Sequence, residues 1–118
     1  MKLELDDVGA ATVVRVFEAN VDARVAMEFR TLMAREITAG KRRLALDLRE
    51  VDFMDSSGLG AVVSVLKALQ PDGDLVVFGL RGPVLRLFQL TRMDRVFRLL
   101  PDEAAALEAL AMPGEGAT

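Results

Sequence analysis

Apolar and polar positions alternate in "LELDD" at residues 3–7 and again in the valine-rich "ATVVRVF" at 11–17, with Asp7, Gly9 and small neighbours between them. Two extended runs around such turn formers predict an opening hairpin. The period then changes. From Arg24 to Thr38 the apolar residues Val25, Phe29, Leu32, Met33 and Ile37 recur at steps of three and four, the spacing of one helical face. Gly40 is placed to end that helix in a left-handed conformation. "RLALDL" at 43–48 predicts the next strand, and Leu59, Val62, Val63 and Leu66 predict the inward stripe of a second helix. "PDGD" at 71–74 turns the chain into the strand "LVVFGL". Pro83 suits a first helical position, where its missing N–H costs nothing, ahead of Val84, Leu87 and Phe88 on the apolar face of a third helix. A short strand near Val96 to Leu99 precedes a last helix that Asp102 can cap, with Leu107 and Leu110 facing inward.

Strands that alternate with helices are joined as parallel pairs. The expected fold class is therefore α/β: one open, mostly parallel sheet with an antiparallel edge strand from the hairpin, and about four helices. Residues 1–111 are expected to form the single domain. "MPGEGAT" at 112–118 has no pattern and reads as a flexible tail.

Composition narrows what this domain can do. The chain has 118 residues, 52% of them hydrophobic and 28% charged, which suits one folded core. Its net charge of -3 opposes a nucleic-acid partner, although "GKRR" at 40–43 and Arg81, Arg86, Arg92, Arg95 and Arg98 are locally basic. No run of about 18 apolar residues is present, and acids interrupt "MKLELDD" too early for a signal peptide, so no membrane span and a cytoplasmic location are expected. There is no Cys and no His. That removes the Ser-His-Asp triad, the thiolate nucleophile, the disulfide and the Cys/His zinc site. The lysines are Lys2, Lys41 and Lys67, and Lys67 stands nearly three helical turns beyond Ser57, too far to activate its hydroxyl. Neither catalysis nor a cofactor is expected. "TAGKRR" lacks the first glycine and the final hydroxyl of a phosphate-binding loop, and the acids and lysine of an aspartyl-phosphate receiver are not at the right strand ends.

The informative stretch is "VDFMDSSG" at 51–58, between a strand and a helix, where ligands and partners of open α/β sheets gather. Asp55 or Ser56 can cap the helix, and a good cap is sufficient reason for these residue types. One serine is enough for a cap, however. The second would hold its hydroxyl beside free amides and the positive end of the helix dipole, which favours an anion by about 0.3 to 1 kcal/mol. A phosphate there adds roughly -1.5 to -2 of charge. Against acidic groups of a docked partner, each unit charge at ~4 Å costs about 4 kcal/mol at an effective dielectric near 20. That is more than a hundredfold in affinity.

With these residues the chain resembles the STAS family, the sulphate-transporter and anti-sigma-factor-antagonist domain, and most of all its stand-alone bacterial anti-sigma factor antagonists. "LALDLREVDFMDSSGLGAVVSVLKAL" at 44–69 is similar to the family's strand, phospho-loop and helix; "VDA" at 21–23 and "LTRMDRVFRLLPDEAAALEAL" at 90–110 are similar to its earlier loop and its last strand and helix. The resemblance implies a STAS fold and a non-catalytic regulator of transcription. Its partners would be an anti-sigma factor that is also an ATP-dependent serine protein kinase, bound by the unphosphorylated antagonist and released by the phosphorylated one, and a metal-dependent serine phosphatase that resets the switch. It implies Ser57 as the phosphoacceptor. It also implies a partner-binding surface of Asn20, Asp22, Asp55, Ser56, Gly58 and Leu59. The family's glycine before the loop aspartate is missing, since the chain reads Ala19, Asn20, Val21, Asp22. Asp22 is equally suited to cap the first helix. Asp47 reads as a polar position on a sheet face, and Gly60, Ser64 and Lys67 as a solvated helix line or, alternatively, an extension of the partner surface. The other reading the family allows is a non-phosphorylated accessory subunit of a lipid-transport ATPase or another regulatory assembly.

Overall fold

The structure is a computed structural model that describes residues 1–112; of the expected tail at 112–118, all but Met112 lies outside the described residues. Strands β1 (Leu3–Val8) and β2 (Ala11–Val16) form the hairpin, with Gly9 at a φ of 61° in its turn. Then come β3 (Asn20–Val21), α1 (Ala23–Thr38), β4 (Arg43–Asp47), β5 (Phe53–Met54), α2 (Ser56–Leu69), β6 (Asp74–Phe78), α3 (Gly82–Leu90), β7 (Arg98–Leu100) and α4 (Glu103–Ala111). The main sheet has the order β1-β2-β4-β6-β7. Only the β1–β2 pair in it is antiparallel, so the open, mostly parallel sheet with an antiparallel edge is as expected.

Alternation along the strands divides the core in two. Val14, Val16, Leu44, Leu46, Leu75 and Val77 point to one face, where they pack with Val25, Phe29 and Met33 of α1, with α2, and with Val84 and Phe88 of α3. Ala11, Val13, Ala45, Val76 and Phe78 point to the other face, under Ala106 and Leu110 of α4. Central strands buried on both sides carry near-continuous apolar runs, and "LAL" and "LVVF" are such runs.

Four local expectations change. Segments 19–22 and 52–55, read as loops, contain the parallel pair β3–β5. The last strand lies at Arg98–Leu100, not Val96–Leu99, because a turn of 3-10 helix at Met93–Arg95 uses up the preceding residues and Phe97 turns inward against Phe88, ring centroids 5.8 Å apart. Pro83 is the second residue of α3, still within the turn whose amides have no helical partner. On α2 the inward stripe runs through Leu59, Val62, Val65, Leu66 and Leu69, while Val63 is only half-buried at its margin.

Candidate functional site

The site is built by the shortest strands of the molecule. β3 and β5 pair in parallel, Asn20 opposite Phe53 and Val21 opposite Met54, and the loops around them add backbone bonds. The Asp52 and Phe53 amides both donate to the Ala19 carbonyl, at 2.8 and 3.0 Å, and the Asp55 amide donates to the Val21 carbonyl at 3.3 Å. Each strand is followed at once by a capping aspartate and a helix. The Asp22 carboxylate accepts from the Val25 amide at 3.0 Å, and Asp55 accepts from the amides of Ser57 and Gly58 at 2.9 and 3.1 Å. Parallel pairing therefore sets the N-termini of α1 and α2 side by side, each with an exposed aspartate.

Gly58 makes this juxtaposition possible. A Cβ at that position would lie 2.7 Å from Met54 Cγ, 2.8 Å from the Val21 carbonyl oxygen and 2.9 Å from Val21 Cγ1. The first turn of α2 thus rests directly on the β3–β5 pair, closer than any side chain allows.

The structure places the expected site residues in two groups. Asn20, Asp22, Asp55 and Ser56 are exposed on one platform, and Ser57 is half-exposed beside them. Gly58 and Leu59, expected on the partner surface, are buried: Gly58 meets Met54 and Val21, and Leu59 joins the core of α2. They shape the platform from beneath. Of the two capping options at α2, the structure takes Asp55, and Asp22 caps α1. The amides beside Ser57 are also less free than expected, since Asp55 already accepts from two of them. A phosphate on Ser57 would share the helix's positive end with that carboxylate. The dipole favours the anion by about 0.3 to 1 kcal/mol and a neighbouring carboxylate in water opposes it by about 1 kcal/mol at ~4 Å, so the two nearly cancel.

A polar network behind the platform was not legible as such. Asp47, expected as a plain sheet-face position, is 5% exposed and stands at the centre of it. Its carboxylate accepts from Arg15 Nη1 at 3.2 Å, from Arg49 Nη2 at 2.8 Å, and from the Arg49 amide and Nε, both at 3.0 Å. Arg15 extends the network to Asp6 at 2.8 Å and to Glu103 at the start of α4 at 2.6 Å. Burial pushes the Asp47 carboxyl up, but the hydrogen bonds and charge of Arg49, with help from Arg15, hold it below the ordinary value of 3.8. The hydrogen bonds of Glu103 and Asp6 raise Arg15 further, and that of Asp47 raises Arg49. Arg49 also lies over the Phe78 ring, 5.5 Å from its centroid. At the N-cap of α3, Arg81 donates through Nε to the Arg49 carbonyl at 2.6 Å and pairs with Asp52 at 3.3 Å. The loop from 48 to 52 that delivers β5 to the platform is thereby tied to the sheet and to α3. No helix among the described residues is long and apolar enough to cross a membrane.

A five-stranded mixed sheet with three helices on one face and one on the other, and a two-stranded ladder aligning two helix N-termini, defines a small α/β domain with a presented loop. The STAS domain model matches residues 2–106, and the chain belongs to that family. Over 57 residues it is 42% identical to the anti-sigma-B factor antagonist of Listeria monocytogenes; the match takes in 48% of this chain and about half, 50%, of the relative's length. The crystal structure of an anti-sigma factor antagonist from Mycobacterium paratuberculosis superposes with a TM-score of 0.85 at 26% identity, over 94% of each chain. The unphosphorylated form of the anti-sigma factor antagonist SpoIIAA shares the fold with a TM-score of 0.78 at 21% identity, over 96% of this chain and 100% of that one.

Proposed function

We propose that this protein is an anti-sigma factor antagonist controlled by phosphorylation of Ser57: a non-catalytic regulator that binds an anti-sigma factor with serine kinase activity and is released once Ser57 carries phosphate. The observation that carries this reading is the position of Ser57, half-exposed in the first turn of α2, on a platform shared with Asp22 and Asp55. The hydroxyl is reachable without unfolding. Family membership and the names of the Listeria and Mycobacterium relatives support the same assignment.

The geometry also supplies a reason for release. A kinase can phosphorylate Ser57 only if the γ-phosphate of its ATP is brought into line with the hydroxyl, within about 3.5 Å. After transfer, the new dianion faces the remaining nucleotide phosphates at that range. Each unit charge pair at ~4 Å costs about 4 kcal/mol at an effective dielectric near 20, while the charge is nearly neutral to the isolated fold. The complex is destabilised and the protein is not. A metal-dependent serine phosphatase would restore the hydroxyl, and the exchange would take place in the cytoplasm.

The test is to incubate the protein with each anti-sigma-type serine kinase encoded in the source genome, with Mg-ATP, and to map phosphate by mass spectrometry. Stoichiometric label on Ser57, absent from Ser57→Ala, is the expected result. Label on Ser56 instead, or no label with any kinase, overturns the assignment.

A further inference from the structure

The platform presents one aromatic ring that the fold does not use. Phe29, Phe78, Phe88 and Phe97 are buried and Phe17 is 37% exposed, whereas Phe53 is 60% exposed. A single exposed apolar side chain is ordinary on a protein surface. This one is held differently. The pleat of β5 sends Met54 into the core and Phe53 outward beside Asn20, and backbone bonds from the Asp52, Phe53 and Asp55 amides fix the strand at both ends. A ring carried on such a fixed backbone loses little conformational freedom on binding, the usual property of an interface anchor.

The segments that carry it are acidic, and the flanking cations Arg49 and Arg81 are engaged by Asp47 and Asp52. The two segments that make the platform, 18–22 and 50–55, contain Glu18, Asp22, Glu50, Asp52 and Asp55 and no Lys or Arg. Asp52 is paired with Arg81, Glu18 accepts the Lys2 amide, and Asp22 and Asp55 accept helix amides that leave their negative charge in place. An aromatic centre with an acidic rim matches an apolar pocket with a basic rim.

We infer that Phe53 is the apolar anchor of the partner interface, seating in a pocket of the kinase that is bordered by lysine or arginine side chains. This rests on the function proposed for Ser57, four residues away on the same platform. The two act separately: the ring and the carboxylates supply affinity and association rate, and the serine supplies the release.

The experiment titrates each anti-sigma-type serine kinase of the source genome, purified and loaded with Mg-ADP, against wild type, Phe53→Ala and Glu50→Lys, with association rates at low and high salt. Phe53→Ala is expected to weaken binding about thirtyfold or more while melting within a few degrees of wild type. Glu50→Lys, an exposed change that leaves the ring in place, is expected to slow association severalfold at low salt, and wild-type association is expected to slow as salt rises. Phe53→Ala binding within threefold of wild type overturns the anchor, and association that is indifferent to salt and to Glu50→Lys overturns the basic rim. If no kinase binds the wild type at all, the proposed function has failed and the anchor with it.

Discussion

Replacing Gly58 by alanine sets two known effects against each other. Alanine in a helix interior is favoured over glycine by about 0.8 to 1 kcal/mol, and a first-turn position gains no more than that. Against it, the new Cβ meets Met54 Cγ, the Val21 carbonyl oxygen and Val21 Cγ1 at 2.7, 2.8 and 2.9 Å. Met54 can yield, but a carbonyl in a β3–β5 ladder cannot move without loosening the pair. Overpacking of this kind costs about 1 to 3 kcal/mol. The packing term wins, and Gly58→Ala is expected to lose about 1 kcal/mol net, a fall of about 4 °C or more in melting temperature. Gly60→Ala is the internal control. Its Cβ would find nothing nearer than an Arg30 guanidinium nitrogen at 3.5 Å, an ordinary contact, so only the helix term remains and the variant should be more stable by up to about 1 kcal/mol. Urea and thermal unfolding of the three proteins by circular dichroism read both signs. Equal stabilisation by the two alanines would refute the claim that α2 rests on the strand pair with no room for a side chain.

The other variants test the caps and the network. Asp55→Ala should cost about 1 kcal/mol by removing the acceptor of the Ser57 and Gly58 amides, whereas Asp55→Asn, which keeps an acceptor oxygen, should retain most of that stability; urea titrations separate the two. Asp47→Asn should cost about 2 kcal/mol at neutral pH, because Arg15 and Arg49 lose a nearly buried carboxylate. The Asp47 carboxyl is held below 3.8 in the folded state, so its contribution is complete above that pH and is lost as pH falls through the lower folded value. Unfolding free energies measured between about pH 5 and pH 2 should therefore fall less steeply for Asp47→Asn than for wild type. Ser57→Asp should melt within about 2 °C of wild type, since the dipole and the Asp55 charge nearly cancel there.

Much of the fold was legible because long elements write their period into the chain. The sixteen residues of α1 repeat their apolar face several times, and the runs in β4 and β6 are unbroken. β3 and β5 have two residues each, too few to show any period, and their pairing depends on a partner more than thirty positions away. The serines and both capping aspartates were visible as residue types before a helix. Leu59 already stood in the predicted inward stripe of α2, whereas the burial of Gly58 follows from its close approach to Met54 and Val21, which no local pattern encodes. Asp47 alternates as any sheet residue does, and only the fold brings Arg15 and Glu103 to it. Phe53 is likewise indistinguishable in sequence from a core aromatic until the pleat of β5 is known.

Release by phosphate at Ser57 is read from the dissociation constant of the cognate kinase, loaded with Mg-ADP, for the same protein with and without that phosphate, alongside the melting temperature of each form. The phosphate is expected to weaken binding at least about a hundredfold, with both forms melting cooperatively within a few degrees. Equal affinity of the two forms, or a phosphorylated protein that has lost its cooperative transition, would contradict that expectation.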